Sequence, residues 1–180
     1  GKPLRAAISW LDQRQVDSKP LLGALESLLF RVVKAKGSVD SFHAQAEANW
    51  IAQKDPQLWA QVDKFLLLSG YHNYQLTGCY TDSIASQVGY VPFDFKKLEW
   101  AQNKDWKWRA LPAVTREMLP KLLPAGETLG YVTAAASDQT GIPEGLPLIA
   151  CGSDKACEVL GTGCLDNETG SLSYGTTATF

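Results

Sequence analysis

The sequence predicts a helix-rich α/β fold, and three observations carry that expectation. Apolar residues recur at helical spacing over 21–33 and again over 62–76. Short apolar segments of strand length, such as Leu148 to Cys151 and Leu129 to Val132, lie between glycine or proline turns. The 180 residues are 45% hydrophobic and 20% charged, a globular balance that rules out a disordered chain and suffices for one sizeable core.

Arg5 to Trp10 is short and apolar, as a buried strand is, and Leu11-Asp12-Gln13-Arg14 follows at its C-terminal end. Open α/β sheets place functional groups at that end of a strand. In the stretch from Leu21 to Val33, residues Leu21, Leu22, Leu25, Leu28, Leu29, Val32 and Val33 share a helical face, and Gly37 fits its end. A second helix is expected from Ser41 to Ala52, and a short one opens at Asp55-Pro56 and runs through Trp59. Val62 to Leu76 reads as a third apolar helix, broken near Gly70 or ended at Gly78. Asp82 is expected to cap the segment Ser83 to Gln87. The Trp-rich stretch from Leu98 to Lys107 carries no clear periodicity, and Met118-Leu119-Pro120 and Leu123-Pro124 read as loop.

Leu129 to Val132 is a short strand, and Ala134 to Thr140 a short helix ended by Gly141. Gly145-Leu146-Pro147 is a turn into the strand Leu148 to Cys151. Asp154 to Leu160 is a helix stopped by Gly161. A last strand, Ser171 to Tyr174, turns at Gly175-Thr176-Thr177. Both ends of the chain, Ala6-Ala7-Ile8 and Leu172 to Phe180, read as core strands. Exposed strand edges invite foreign pairing, so the chain is expected to be cut from a longer protein.

A formal net charge of −2 without a Lys/Arg block argues against nucleic acid and anionic membrane as partners. No apolar run approaches the roughly 20 residues of a membrane helix. Cys79, Cys151, Cys157 and Cys164 are too sparse for a disulfide scaffold and too widely spaced for a CxxC zinc site, so reduced thiols and a cytoplasmic setting are expected. No metal site is expected.

Three segments offer chemistry. Pro147 to Asp154 is an apolar strand, a glycine turn, and an acid at the first turn of a helix. Asp154 or Ser153 could simply cap that helix. Alternatively, the Asp154 carboxylate could face a crevice and accept a proton from a substrate hydroxyl. Asp12 and Arg14 form either a plain polar turn or a pair that hydrogen-bonds sugar hydroxyls. Tyr174-Gly175-Thr176-Thr177 is either a hairpin turn or a set of backbone and hydroxyl donors for a phosphate. There is no GxxxxGK[ST] sequence, and His43 and His72 supply no Ser-His-Asp arrangement. The tryptophans Trp50, Trp59, Trp100, Trp106 and Trp108 read mainly as packing.

Taken in order, these pieces resemble the FGGY family of carbohydrate kinases. Ala7 to Arg14 is similar to the family's strand ending in W-x-D-x-R, and Asn49 to Pro56 to its W-[LI]-x-x-x-x-P segment. Tyr74 to Gly78 followed by Thr81 to Ser86 is similar to L-T-G…T-D-x-[ST]-x-A-S. Gly126 to Thr133, then Thr140 to Pro147, are similar to G-E-x-x-G-x-[VL]-T and T-G-[LI]-P-x-G-x-P. The resemblance implies a partial ribonuclease H-like domain of the actin and hexokinase type. Residues 1–169 would be the last three quarters of the N-terminal, substrate domain, and residues 170–180 the first strand of the C-terminal, nucleotide domain. It further implies ATP-dependent phosphorylation of a sugar or polyol hydroxyl, with ATP and Mg²⁺ as cofactors, and allows a homodimer. The family's D-x-G-T phosphate loop has no counterpart here, so the isolated chain is expected to be inactive.

By the resemblance, Asp154 matches the family's catalytic base and Lys155 the position of a second substrate-contacting residue. Gly175 and Thr176 match the turn near the ATP phosphates. Phe42 stands where an aromatic residue lines the substrate pocket in the family's glycerol kinases, and Asp12 is a further candidate for sugar hydroxyls. Three positions depart from the pattern: Glu47 replaces a usual Lys, Lys155 a usual Gln or Asn, and Gly-Thr-Thr-Ala the common Gly-Thr-Ser-Gly. The departures leave a non-catalytic sugar-binding or regulatory relative as the alternative reading.

Overall fold

A computed structural model describes residues 1–9, 11–18, 22–32, 36–87, 92–175 and 178–179. Along the chain run helices α1 (Ala24–Val32), α2 (Lys36–Gln45), α3 (Glu47–Lys54), α4 (Pro56–Trp59) and α5 (Leu68–Thr77). Strands β1 (Thr81–Ser83), β2 (Phe93–Asp94), β3 (Glu99–Trp100), β4 (Lys121–Leu123) and β5 (Thr128–Tyr131) follow. Then come α6 (Ala134–Thr140), β6 (Pro147–Ile149), α7 (Asp154–Gly161), β7 (Ser173–Tyr174) and β8 (Ala178–Thr179). Single 3₁₀ turns cover Ile84–Ser86, Trp106–Arg109 and Arg116–Met118. The chain divides into two compact units, Gly1–Leu67 with Gly89–Pro120, and Leu68–Val88 with Lys121–Phe180.

In the first unit, helices α1 to α4 pack with the Trp-rich segment. Phe30, Val39 and Ala110 form one buried cluster. Ala48, Leu111 and Val114 form another, flanked by Trp59, Phe65 and Trp108. Three of the indole rings here are anchored by their polar tips. Trp59 Nε1 donates to the Ala113 carbonyl at 3.1 Å, Trp100 Nε1 to Pro120 at 2.7 Å and Trp108 Nε1 to Gln102 at 3.0 Å. The packing role expected of these three rings is what the structure shows.

Several expectations need correction here. Residues 5–9 form no strand, and none of the strand pairs among the described residues takes in their backbone groups. Trp10, the end of that expected strand, lies outside the described residues, as do Leu21 and Val33 at the ends of the expected first helix. Gly37 sits inside the first turn of α2 instead of ending α1. The helix expected over 41–52 is two helices, parted at Ala46, whose φ and ψ of −68° and 115° are extended. The last carbonyls of α2 find other donors: His43 O takes the Asn49 side-chain amide at 3.0 Å and Ala44 O takes the Val16 N–H at 2.9 Å. Over 62–67 the chain is not helical, because Phe65 N–H donates to Met118 O at 2.9 Å and its ring packs on Trp59.

The second unit is built on α5, β1 and the β5–β6 pair. Helix α5 contains Gly70 without a break and ends at Gly78, whose φ of 71° only glycine adopts freely. Strand β4, whose last residue Leu123 is expected in a loop, pairs in parallel with β1, Asp82 opposite Leu122. Prolines on both flanks masked a strand only three residues long. β5 and β6 pair antiparallel with a register shift between Thr128 and Gly130. Gly130 lies hard against α5: a Cβ there would fall 2.7 Å from Thr77 Cβ. Asp82 is not the cap of the following turn. It belongs to β1, and Ser83 caps Ile84–Ser86 by accepting from the Ala85 N–H at 3.2 Å.

Candidate active site

The segment expected to carry the chemistry is the passage from β6 into α7. Ala150, the first residue past β6, is buried, and its N–H donates to Glu127 O at 2.8 Å while its carbonyl accepts from Gly126. Three residues later Ser153 ends the crossing. Its N–H donates to Ala85 O at 3.1 Å, and its hydroxyl accepts from Ala156 N–H at 3.4 Å as the N-cap of α7. Capping therefore falls to Ser153, which leaves the neighbouring acid free of that task. Asp154 is the first residue of the helix and is exposed, its Oδ1 accepting from the Lys155 N–H at 2.7 Å. Helix α7 runs to Gly161 rather than stopping before it, and Gly163, with φ of 77°, makes the turn beyond.

Lys155 turns along the helix. Its Nζ binds Glu158 Oε2 at 2.6 Å and Ser173 Oγ on β7 at 3.0 Å. The hydrogen bond from Lys155, and after it one with Ser173, hold the Glu158 carboxyl below the usual glutamate range. The second contact ties α7 to β7, which pairs with β8 and leads into Gly175. Thr176 and Thr177 lie outside the described residues, as does Phe180. Asp154, Lys155 and Gly175 thus belong to one unit and connect through α7 and β7.

Asp12 and Phe42 belong to the other unit. Asp12 folds back on its own turn: Oδ1 accepts from the Arg14 N–H at 2.9 Å and Oδ2 pairs with the Arg14 guanidinium at 2.8 Å. That guanidinium stands 4.7 Å over the Trp50 ring, with Arg5 also over the ring at 5.7 Å. Phe42 projects from α2 and is 47% exposed. The turn is thus closed locally, with the guanidinium and the Trp50 indole side by side.

Sequence reasoning missed the polar knot beneath Ser153. Asp82, 2% exposed, accepts from Ser69 Oγ at 2.7 Å, Ser83 N–H at 2.8 Å, Ser86 Oγ at 3.1 Å and Asn73 Nδ2 at 3.3 Å. The signal available was the density of small hydroxyl residues around one acid, Asp82-Ser83 through Ser86, with Ser69 and Asn73 one turn apart on the preceding helix. All four cysteines are free thiols. Among the described residues no group of three or more His, Cys, Asp or Glu could hold a metal ion. No helix among them is long and apolar enough to cross a membrane.

The sequence profile of the FGGY family of carbohydrate kinases, N-terminal domain, matches residues 1–161. The chain belongs to this FGGY family. An Escherichia coli K12 protein described as the uncharacterized sugar kinase YgcE is 40% identical over 108 residues, 60% of this chain and 22% of its own length. L-fuculokinase of the same organism is 30% identical over 138 residues, 76% of this chain and 28% of that one. Among solved structures, a ligand-bound xylulose kinase from Lactobacillus acidophilus superposes with a TM-score of 0.66 at 18% identity, over 84% of this chain and 32% of that one. A Plasmodium falciparum glycerol kinase solved with ADP gives 0.65 at 15% identity, over 92% and 36%. At such identities the likeness shows the fold, which is the actin and hexokinase type of the sugar kinases. The FGGY chain spans roughly a fifth to just over a third of the length of these relatives.

Proposed function

We propose that the enzyme containing this chain transfers the γ-phosphoryl group of ATP to a hydroxyl of a sugar or polyol, with Asp154 as the general base. The observation that supports this most is the placement of Asp154: exposed, first in α7, and relieved of capping by Ser153, within the segment matched to the family. Relatives named xylulose kinase and L-fuculokinase support the substrate class. In this reading the Asp154 carboxylate accepts the hydroxyl proton as the oxygen attacks, and Lys155, Phe42 and Asp12 contact the substrate. Gly175, exposed and next after β7, would offer its backbone N–H to a phosphate, and Thr176 is the hydroxyl donor proposed beside it. Mg²⁺, held by the ATP phosphates, would supply charge neutralisation during transfer. The setting proposed is the cytoplasm, in keeping with four free thiols.

The test is Asp154→Asn in the full-length enzyme, assayed by coupled ADP release over pentoses, ketoses and polyols. A fall in kcat of about 10²–10⁴-fold with substrate binding kept is expected, and near-normal turnover would sink the assignment. The 180-residue chain alone is proposed to turn over nothing, because it carries no D-x-G-T loop. Phosphorylation by the chain itself would refute that.

A second reading has its own support. Lys155, where the family usually has Gln or Asn, is taken up by Glu158 and Ser173. That fits a sugar-binding or regulatory relative without turnover. Sugar binding to the full-length protein with no ADP release, over the same panel, would favour it.

A further inference from the structure

The approach to Asp154 is held from below by groups that touch no substrate in the reading above. Helix α7 buries none of its side chains within this chain, so core packing does not set its position here. Past Ala150, the backbone tie of residues 151–153 to another element, among the described residues, is Ser153 N–H to Ala85 O. Ala85 lies in the 3₁₀ turn Ile84–Ser86, and that turn is shaped by Asp82. One carboxylate oxygen of Asp82 takes the Ser83 N–H and the Ser86 hydroxyl, which fixes both ends of the turn. The same side chain is clamped to α5 through Ser69 and Asn73. Ser86 Oγ also lies 2.9 Å from the Ser83 carbonyl, so its one proton is shared between that oxygen and Asp82 within the turn.

We infer that Asp82 is a positioning residue for Asp154, acting through the 84–86 turn and the Ala85–Ser153 hydrogen bond. The inference rests on the reading of Asp154 as the base. The physical argument is one of stiffness. A buried carboxylate with four donors has one arrangement that satisfies all of them, and any shift strands a buried donor. The Ala85 carbonyl is therefore a fixed point, and the residue bonded to it immediately precedes Asp154. A general base displaced by about 1 Å loses on the order of 10² in rate.

The experiment is a mutant cycle in the full-length enzyme. Asp82→Ala should lower kcat about 100-fold while the sugar KM moves less than about threefold, since the ground-state contacts are elsewhere. Asp82→Asn keeps an acceptor toward Ser83 and Ser86 and should recover to within about tenfold of the parent. In the Asp154→Asn background, Asp82→Ala should add no further loss, because nothing remains to be positioned. Loss that adds in full on that background, or unchanged kcat for Asp82→Ala beside an inactive Asp154→Asn, overturns the positioning role alone. Near-normal turnover of Asp154→Asn overturns the base, and the positioning role with it. Should Asp82→Ala fail to fold, Ser86→Ala removes one tie only. It should lower kcat about tenfold with the same non-additivity, and full activity there overturns the inference.

Discussion

The two units are held together by different means. In the first, buried residues are mostly apolar, and aromatic rings carry the contacts: Phe93 meets Phe95 and Trp100 edge-on at 4.9 and 5.9 Å, and Phe30 meets Trp106 at 5.1 Å. In the second, buried polar contacts gather on Asp82, whose carboxylate takes donors from Ser69, Asn73, Ser83 and Ser86. Apolar packing tolerates small shifts in any direction, whereas a satisfied polar knot defines one geometry. The unit with the knot is also the one that carries Asp154, the proposed base.

That contrast can be tested by asking each unit to fail in its own way. The largest effect is expected on turnover, from Asp154→Asn, with little change in thermal midpoint, since that side chain is exposed and its partner among the described residues is its own neighbour's N–H. The converse comes from Phe93→Ala in the first unit. Phe93 is 2% exposed, and truncation there should cost about 3–5 kcal/mol of stability. Hydrogen exchange resolved by segment would check it, with protection lost first over 92–120. If residues 121–161 lose protection equally, the two units do not unfold separately.

Next in size are two substitutions of similar cost and different cause. Asn49 is buried and bridges three backbone groups: Nδ2 donates to His43 O and to Ala110 O at 2.8 Å, and Oδ1 accepts from Ala113 N–H at 3.4 Å. Asn49→Ala should cost about 1–3 kcal/mol by stranding buried carbonyls, read from a denaturant midpoint. Gly130→Ala should cost about as much in the second unit through overpacking against Thr77, whose Cβ is backbone-fixed on α5. A stability equal to the parent's for Gly130→Ala would show that α5 and β5 can part by the few tenths of an ångström that the added methyl needs.

The same division explains what the sequence made legible. Asp55-Pro56 announced α4, and Asp55 Oδ1 does accept from the Leu58 N–H at 2.9 Å. Gly141, with φ of 75°, ends α6 as expected, and Thr133 caps its start. These are signals spanning a few residues, so a linear reading finds them. The break at Ala46 depends on Asn49 and Val16 reaching the end of α2, and Val16 lies 28 residues from its partner Ala44. Strand β4 depends on β1, some 40 residues earlier. Asp154 was legible as an acid after a strand and a glycine turn, but its separation from the capping task was not, because Ser153 and Asp154 compete for that task on paper. Asp82 looked like a cap because its true partners, Ser69 and Asn73, are 13 and 9 residues away on another element.

The smallest expected effect is one of pH, and it belongs to the first unit. His43 is 4% exposed, and its Nδ1 has no hydrogen-bond partner among the described residues. Burial pushes its pKa below the ordinary histidine value, outweighing the opposing pull of the Asp40 carboxylate and of a hydrogen bond with the Ser18 backbone. The folded chain therefore binds the proton less readily than the unfolded chain does. Stability from this group is present above the ordinary value of about 6.5 and falls as pH drops through it toward the folded value. The thermal midpoint should accordingly decline between about pH 7.5 and about pH 5.5, and His43→Gln should flatten that part of the profile. The decline should show in exchange protection over 36–54 and leave the Asp82 segment unchanged, because nothing in the buried knot is a histidine. A profile equally steep in His43→Gln would mean that the titrating group lies elsewhere.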